Sequence, residues 1–293
     1  MNDVRNLLEK RHPGLYARIA QTLVEAEARY NRESKQAPSE FLLEHTLRTA
    51  AIAHTLSAME GVDPFLPSLV ALYHDAGKFH DGEYHKDDIP EEEHAAILAG
   101  AMLAEFGMAR GEIETVLGAL RALYDDRLPC DGSCRIVQDA DRLEKLGPMG
   151  VGAFFTKATL RGRGLEDAIV QSLSRELTYA ATAPRSMLTD SGRTLAREQG
   201  AKTTAFFDDL LRDLERWGIA AYERRALVVE GDFRSHKMEV TIVMPRACPD
   251  CGEAIDLSHA CERGVKCDKL TVRFACSACS YARETYFCLP VVA

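Results

Sequence analysis

Two short cysteine pairs constrain this chain more than any other feature. Cys248 and Cys251 lie in CPDCGEAI, and Cys276 and Cys279 lie in ACSACSYARETY, with 24 residues between the pairs. Two-residue spacing lets a tight turn aim both sulfurs at one point, so two such pairs beside strands predict a tetrahedral zinc site with four cysteine ligands. The distribution of the nine cysteines supports this reading: residues 1–129 contain none, and seven fall in the last 46. Four cysteines close the coordination shell, so the expected zinc is architectural and leaves no position for catalysis.

The pattern resembles a zinc ribbon, with Gly252 in the turn after the first pair. Between the pairs, Cys261 and Cys267 have a loose spacing and are read as free thiols, with a second ion shared with His259 as the alternative. Cys288 is read as a small core residue of a strand, and Cys130 and Cys134 as unpaired thiols flanking a turn, with a redox pair or a weak metal site as the alternatives. From Arg246 to the end there are six Lys/Arg and six Asp/Glu, a neutral balance that gives no basic footprint for nucleic acid. The expected roles of the tail are docking to the helical part or dimerisation, with a homodimer among the expected assemblies.

The rest of the chain has a different texture. From about residue 12 to 217 the pattern is helical and rich in Ala, Leu and Glu. Leu15, Ile19, Leu23, Ala26 and Tyr30 form a helix stripe. Ser39 precedes FLLEHTLRTAAIAHTL as a cap, Asp63-Pro64 opens another helix with Gly77 as its stop, and Pro90 with three glutamates opens a third. Further helices are expected near 110–123, 135–145, 148–160, 165–180 and 192–217. After Trp217, the runs RALVVEGDF, KMEVTIVMPR, KLTVRFACS and ETYFCLPVV read as short strands. The expected fold class is mainly α, a helical domain over 1–217 followed by a small β zinc-ribbon-like domain over 218–293.

Among the helices, LVALYHDAGKF places His74 and Asp75 at the end of an apolar segment. His45 is mid-helix in FLLEHTLRTAA, and Asp141 lies in IVQDADRLEKLG. Imidazoles with carboxylates and open positions for water suit a catalytic divalent metal. Each residue also has an ordinary reading: a histidine at the negative helix end, a carboxylate partner for Arg142, a hydrogen-bonded core histidine. Together they place polar groups on apolar helices, where uncompensated burial is costly. His54, nine positions after His45, falls on the opposite helix face.

The order H…HD…D on consecutive helices resembles the HD superfamily of metal-dependent phosphohydrolases. The matching blocks are EHTLRTAAIA, DPFLPSLVALYHDAGKF, EEEHAAILAGAMLAEFG and RIVQDADRLEKLGPMGVGAFF, with LTDSGRTLAREQGAKTTAFFDDLLRDLE as closing helices, over roughly residues 40–216. The resemblance is closest to small bacterial HD hydrolases. It implies His45, His74, Asp75 and Asp141 as ligands of a divalent ion (Mn, Fe, Ni, Mg or Zn). It implies Asp75, Lys78 and His94 as catalytic candidates: Lys78 neutralises developing charge or is a solvated lysine at the helix end, and His94 contacts substrate phosphate or is a partly exposed helix histidine. Related enzymes often carry a further histidine where this chain has Leu123, Tyr124, Asp125 and Asp126. That departure favours one metal, or a second with an Asp ligand.

The implied activity is hydrolysis of a phosphate ester or anhydride in a small metabolite, nucleotides being the leading class. The alternative is a non-catalytic nucleotide sensor or adaptor that uses the ribbon for a protein or nucleic-acid partner. The formal net charge of −9 disfavours generic polyanion binding. No stretch approaches the roughly 18 apolar residues of a spanning helix. The polar start MNDVRNLLEKRHPGLY lacks signal-peptide features, so a cytoplasmic location is expected.

Overall fold

The computed structural model describes residues 2–35, 39–84, 89–125, 127–229, 238–262 and 267–290. Asp126 and the end of the first expected strand (230–233) lie outside the described residues. Packing divides the chain into two compact units. The first comprises Met1–Lys145 and Pro184–Ala196, the second Leu146–Ala183 and Arg197–Ala293. The change of texture near residue 218 is therefore a change of secondary structure, whereas packing groups the strands with the helices that supply their core.

The first unit contains α1 (Asn2–Arg11), α2 (Leu15–Glu33), α3 (Phe41–Met59), α4 (Phe65–Tyr73), α5 (Glu91–Glu105), α6 (Arg110–Ala122) and α7 (Gly132–Glu144). The start of the chain, read from sequence only as polar, is helical because Val4 and Leu8, one turn apart, are both buried. On α2 the buried stripe runs Leu15, Ile19, Leu23, Glu27, Asn31. Its last two members are polar, and Glu27 has a structural task. Its carboxylate accepts from Leu42 N at 2.8 Å, Phe41 N at 3.1 Å and Ser39 Oγ at 2.5 Å. Ser39 therefore does not cap α3 with its own side chain; Glu27, from another helix, takes the orphan amides.

Pro64 starts α4, and His74 follows its last residue at the head of a run of turns. Gly77 sits in those turns, where a Cβ would stand 2.0 Å from Glu91 O and 2.8 Å from His94 Cβ. Glycine is needed there so that the start of α5 can press against the turn, which brings His94 beside it.

The second unit contains α8 (Gly147–Leu160), α9 (Leu165–Ala168), a π-helical turn (Ile169–Leu173), most of α10 (Ser174–Ser186) and of α11 (Asp190–Arg216), and five strands. The strands β1 (Tyr222–Val229) and β2 (Met238–Pro245) form an antiparallel hairpin. Antiparallel to one another, β3 (Ile255–Glu262), β4 (Cys267–Cys276) and β5 (Ala282–Pro290) form a second sheet, with β4 central. β3 was not expected from sequence: as an edge strand it buries only Ile255 fully and lacks a clear alternation.

Leu270, Val272 and Phe274 of β4 are wholly buried with Ile242 and Val240 of β2, Phe207, Leu173 and Phe154 in one hydrophobic cluster. Backbone groups of the strands are also tied to the helices. Val243 N donates to Ser174 Oγ at 2.8 Å, and Thr285 Oγ1 donates to Gln171 O at 2.9 Å. No described helix is long and apolar enough to cross a membrane.

Candidate metal centres

In the first unit, α3, the end of α4 and α7 converge. His45, His74 and Asp141 each present one ligand atom, all within 4.8 Å of one another, and all three side chains are buried. The imidazole of His74 donates from Nδ1 to Ala71 O at 2.7 Å, which leaves a lone pair on Nε2. That Nε2 lies 3.2 Å from His45 Nε2. Asp141 Oδ1 is 3.4 Å from His45 Nε2 and 3.9 Å from His74 Nε2. Two nitrogens and a carboxylate oxygen aimed at one point, away from solvent, form a donor set that fits a divalent cation.

Asp75 adjoins this group. Its Oδ2 is 3.4 Å from His45 Nε2 and its Oδ1 is 3.7 Å from His74 Nε2. Lys78, one helical turn further on, hydrogen-bonds Asp75 Oδ2. Burial opposes ionisation of Asp75, but His74, Lys78 and His45 outweigh it and hold the carboxyl well below its usual range. Asp141 behaves alike: burial raises its pKa, and Lys145, His74 and His45 more than reverse this. For His45, burial works against protonation while Asp75 and Glu144 favour it, leaving the pKa raised. His74 shifts downward, chiefly through burial. The site is thus a carboxylate-rich, buried cluster that favours positive charge.

Three groups around it were not read from sequence as part of a site. Glu144, wholly buried on α7, has Oε2 3.2 Å from His45 Nδ1, although not aligned for a hydrogen bond, and its Oε1 accepts from Arg48 Nε at 2.7 Å. A carboxylate at Nδ1 favours the tautomer that frees Nε2 for a metal. The signal lay in spacing: Glu144 is one turn from Asp141, as Arg48 is from His45. Tyr124 Oη donates to Asp141 Oδ2 at 2.9 Å, and Lys145 Nζ to the same oxygen at 2.7 Å. Tyr124 occupies the stretch where related enzymes often carry a histidine. Burial and the nearby Asp141 and Asp75 push its phenol well above the ordinary range, so it remains a neutral donor.

His94 is buried, with its ring stacked on that of His80 at 3.9 Å between centroids. The structure thus places it beside the HD turn through Gly77 and His80. Cys130 and Cys134, read first as unpaired thiols and alternatively as a redox pair, form a disulfide across the N-terminus of α7, where Asp131 Oδ1 accepts from Cys134 N at 2.9 Å. The tight capping turn explains the pairing, because it brings the two Cα atoms to 5.2 Å.

In the second unit, Cys248, Cys251, Cys276 and Cys279 have sulfurs within 4.8 Å of one another. The pairs Cys248–Cys279 and Cys251–Cys276 are each at 3.5 Å. Tetrahedral zinc with bonds of about 2.3 Å sets sulfurs about 3.8 Å apart, so the four fit that ion. Cys248 with Cys251, and Cys276 with Cys279, each sit on a tight turn. Gly252 N donates to Cys248 O at 2.8 Å with Gly252 at a φ of 80°, and Cys276 N donates to Tyr281 O at 3.0 Å. The amides of Ala278 and Tyr281 donate to Cys276 Sγ and Cys279 Sγ, each at 3.4 Å, contacts that favour the thiolate form. Cys261 is exposed on β3, and the side chain of Cys267 lies outside the described residues. Cys288 is exposed on β5, not in the core as expected, because the strand alternation buries its neighbour Phe287 instead.

Residues 42–146 match the model of the HD domain, and the three converging side chains fall inside that segment. This part of the chain is an HD domain. Among solved structures, a predicted HD superfamily hydrolase from an uncultured Thermotogales bacterium is 22% identical, covers 72% of this chain and 97% of its own, and has a TM-score of 0.51. A protein from Lactobacillus plantarum is 16% identical over 71% of this chain and 98% of its own, with a TM-score of 0.50. Bacillus subtilis YpgQ, in complex with ADP, is 21% identical over 68% of this chain and 96% of its own, with a TM-score of 0.49. No curated protein sequence matches the chain. The HD domain supports a metal-dependent hydrolase in general, and the four-cysteine cluster is consistent with a zinc-ribbon-like tail.

Proposed function

We propose that the HD domain of this chain is a metal-dependent phosphohydrolase that cleaves a phosphate ester or anhydride of a small metabolite, with nucleotides as the leading substrate class. The observation that carries this reading is the pair of imidazole Nε2 atoms 3.2 Å apart beside Asp141 Oδ1, with His74 Nδ1 committed to Ala71 O. His45, His74, Asp75 and Asp141 would hold the ion, which supplies Lewis acidity toward a phosphate oxygen and water.

The chain's own groups then divide the remaining work. Glu144 and Ala71 O orient the two imidazoles from behind. Tyr124 and Lys145 hold Asp141 Oδ2, which fixes the direction of Oδ1. Lys78 offsets the negative charge of Asp75 and provides a cation for charge that develops on the phosphoryl oxygens. His94, buried beside the HD turn, is the proposed contact for a substrate phosphate. The zinc-ribbon-like tail is architecture in this reading.

The test is turnover across a panel of nucleotides and phosphoesters with Mn, Fe, Ni, Mg and Zn. Hydrolysis that requires a metal and falls at least about a hundredfold in both His74→Ala and Asp141→Ala supports the enzyme. Tight nucleotide binding without turnover under every metal favours the alternative, a sensor or adaptor.

A further inference from the structure

A second cluster of charge lies in the other unit and takes no part in the HD chemistry. Arg161 follows α8, Arg163 lies in the turn before α9, Arg175 is on α10, and Lys269 is on β4. Arg175 and Lys269 lie over Tyr286 of β5, and Arg163 meets Arg175 at Ser172. The guanidinium of Arg175 is 4.7 Å from the Tyr286 ring centroid, and Lys269 Nζ is 5.7 Å from it. Arg163 Nη1 and Arg175 Nη2 both donate to the hydroxyl of Ser172, at 3.1 and 3.2 Å. Ser172 is buried in the π-helical turn, and Tyr286 is half exposed.

The local fold builds this arrangement. Thr285, wholly buried, bonds Gln171 O and so pins β5 to the π-helical turn. Strand alternation then turns the next residue, Tyr286, outward beside Arg175. Two guanidinium groups share one neutral oxygen, an arrangement in which like charges repel. Among the described residues, no ion pair joins Arg161, Arg163, Arg175 or Lys269 to a carboxylate. The nearby Asp167 is 3.5 Å from Arg283 instead, and Glu284 stands across from Arg273 in the β4–β5 register. The field of the cluster is evident at Tyr286, whose phenol Arg175 chiefly, with Arg161 and Arg163, holds below its ordinary range.

Counting charge along the cysteine-rich tail misses this feature, because three of the four cations come from the helical segment. In a chain of net charge −9, an uncompensated group of cations is not an average surface. Arginine forks match phosphate oxygens, and a phenol adds a donor at their edge. We infer that Arg163, Arg175, Lys269 and Tyr286 form a phosphate-binding site for a polyphosphate ligand, either a free polyphosphate or the backbone of a single-stranded nucleic acid. The inference does not depend on the HD domain being catalytic.

The experiment uses the full chain and two probes: inorganic triphosphate by calorimetry and a dye-labelled twelve-residue oligothymidylate by anisotropy. The double variant Arg163→Gln, Arg175→Gln is expected to weaken binding at least about tenfold. Loss of two phosphate contacts from a single strand should also make the plot of log affinity against log salt about 1.4 less steep. Arg163→Lys, Arg175→Lys keeps the charge and should keep the salt slope, and unchanged zinc content and thermal unfolding show that the variants remain folded. Arg212→Gln, an exposed arginine already bonded to Asp209, is the charge control and should leave affinity unchanged. Tighter binding of the oligonucleotide than of triphosphate identifies the strand as the source, and the reverse identifies the free polyphosphate. The inference is overturned if neither probe binds, if Arg212→Gln weakens binding as much as the double variant, or if binding vanishes in His74→Ala and not in the arginine variants.

Discussion

Replacing Asp139 should be among the most costly single changes in the first unit, although the residue is no metal ligand. Its carboxylate is wholly buried on α7 and accepts from Leu188 N at 2.8 Å, Thr189 N at 2.8 Å and Thr189 Oγ1 at 2.7 Å. Gly192, the position of closest approach, leaves room for it: a Cβ there would stand 2.3 Å from Asp139 Oδ2. In Asp139→Ala, the two Thr189 donors are buried without a partner and Leu188 N is partly so. At about 1–3 kcal/mol per buried unsatisfied group, with the Leu188 amide recovering some water, the loss is about 4 kcal/mol. Asp139→Asn keeps one carbonyl oxygen and should lose about 2 kcal/mol.

The assay is unfolding followed by far-UV circular dichroism, in urea and on heating. At about 2–4 °C per kcal/mol for a body of this size, the alanine variant should melt about 8–16 °C lower in its first transition. Two compact units can unfold separately, so the transition that moves is assigned by whether it survives zinc removal. If Asp139→Ala costs less than about 1 kcal/mol, or costs no more than Asp139→Asn, the carboxylate is not what holds the turn before α11, and the reasoning fails.

Other perturbations follow from the same geometry. Glu144→Gln removes the charge behind His45 and beside Arg48, and should weaken metal binding at the HD site about 10–100-fold in a competition titration, while Glu44→Gln, which stands at 3.5 Å from Arg48 on the exposed side, should not. Cys276→Ser should remove the tail's zinc, read as loss of one equivalent by elemental analysis, and reduce the thermal stability of the strands while leaving HD-site metal in place. Tyr124→Phe keeps the ring but removes the donor to Asp141, so affinity for the exchangeable metal should fall, by an amount smaller than for Asp141→Ala.

The four-cysteine site was legible because its information is local: two tight turns, each carrying both of its ligands, announce themselves by spacing. The convergence of His45, His74 and Asp141 was legible only through resemblance, since they are far apart in the chain and no spacing rule brings them together. What surrounds them was harder still. Glu144 looked like one more charge in DADRLEKLG, and only the fold shows it buried against His45 and Arg48. Glu27 sits on a hydrophobic stripe yet caps a different helix, because tertiary packing overrides the local preference for Ser39. β3 escaped because an edge strand with one buried residue has no periodicity to read. The basic cluster at Tyr286 escaped for the opposite reason: its charges belong to segments that a linear count keeps apart.

The central claim is that one chain holds two chemically different metal sites, an open His/Asp site in the HD domain and a closed four-cysteine site in the tail. Elemental analysis of protein purified without added metal, before and after mild chelation, tests it most directly. The account predicts one zinc that resists chelation and is lost in Cys276→Ser, together with one exchangeable divalent ion that is lost in His74→Ala and Asp141→Ala. A preparation in which His74→Ala and Asp141→Ala bind the exchangeable ion as the unaltered chain does would contradict it.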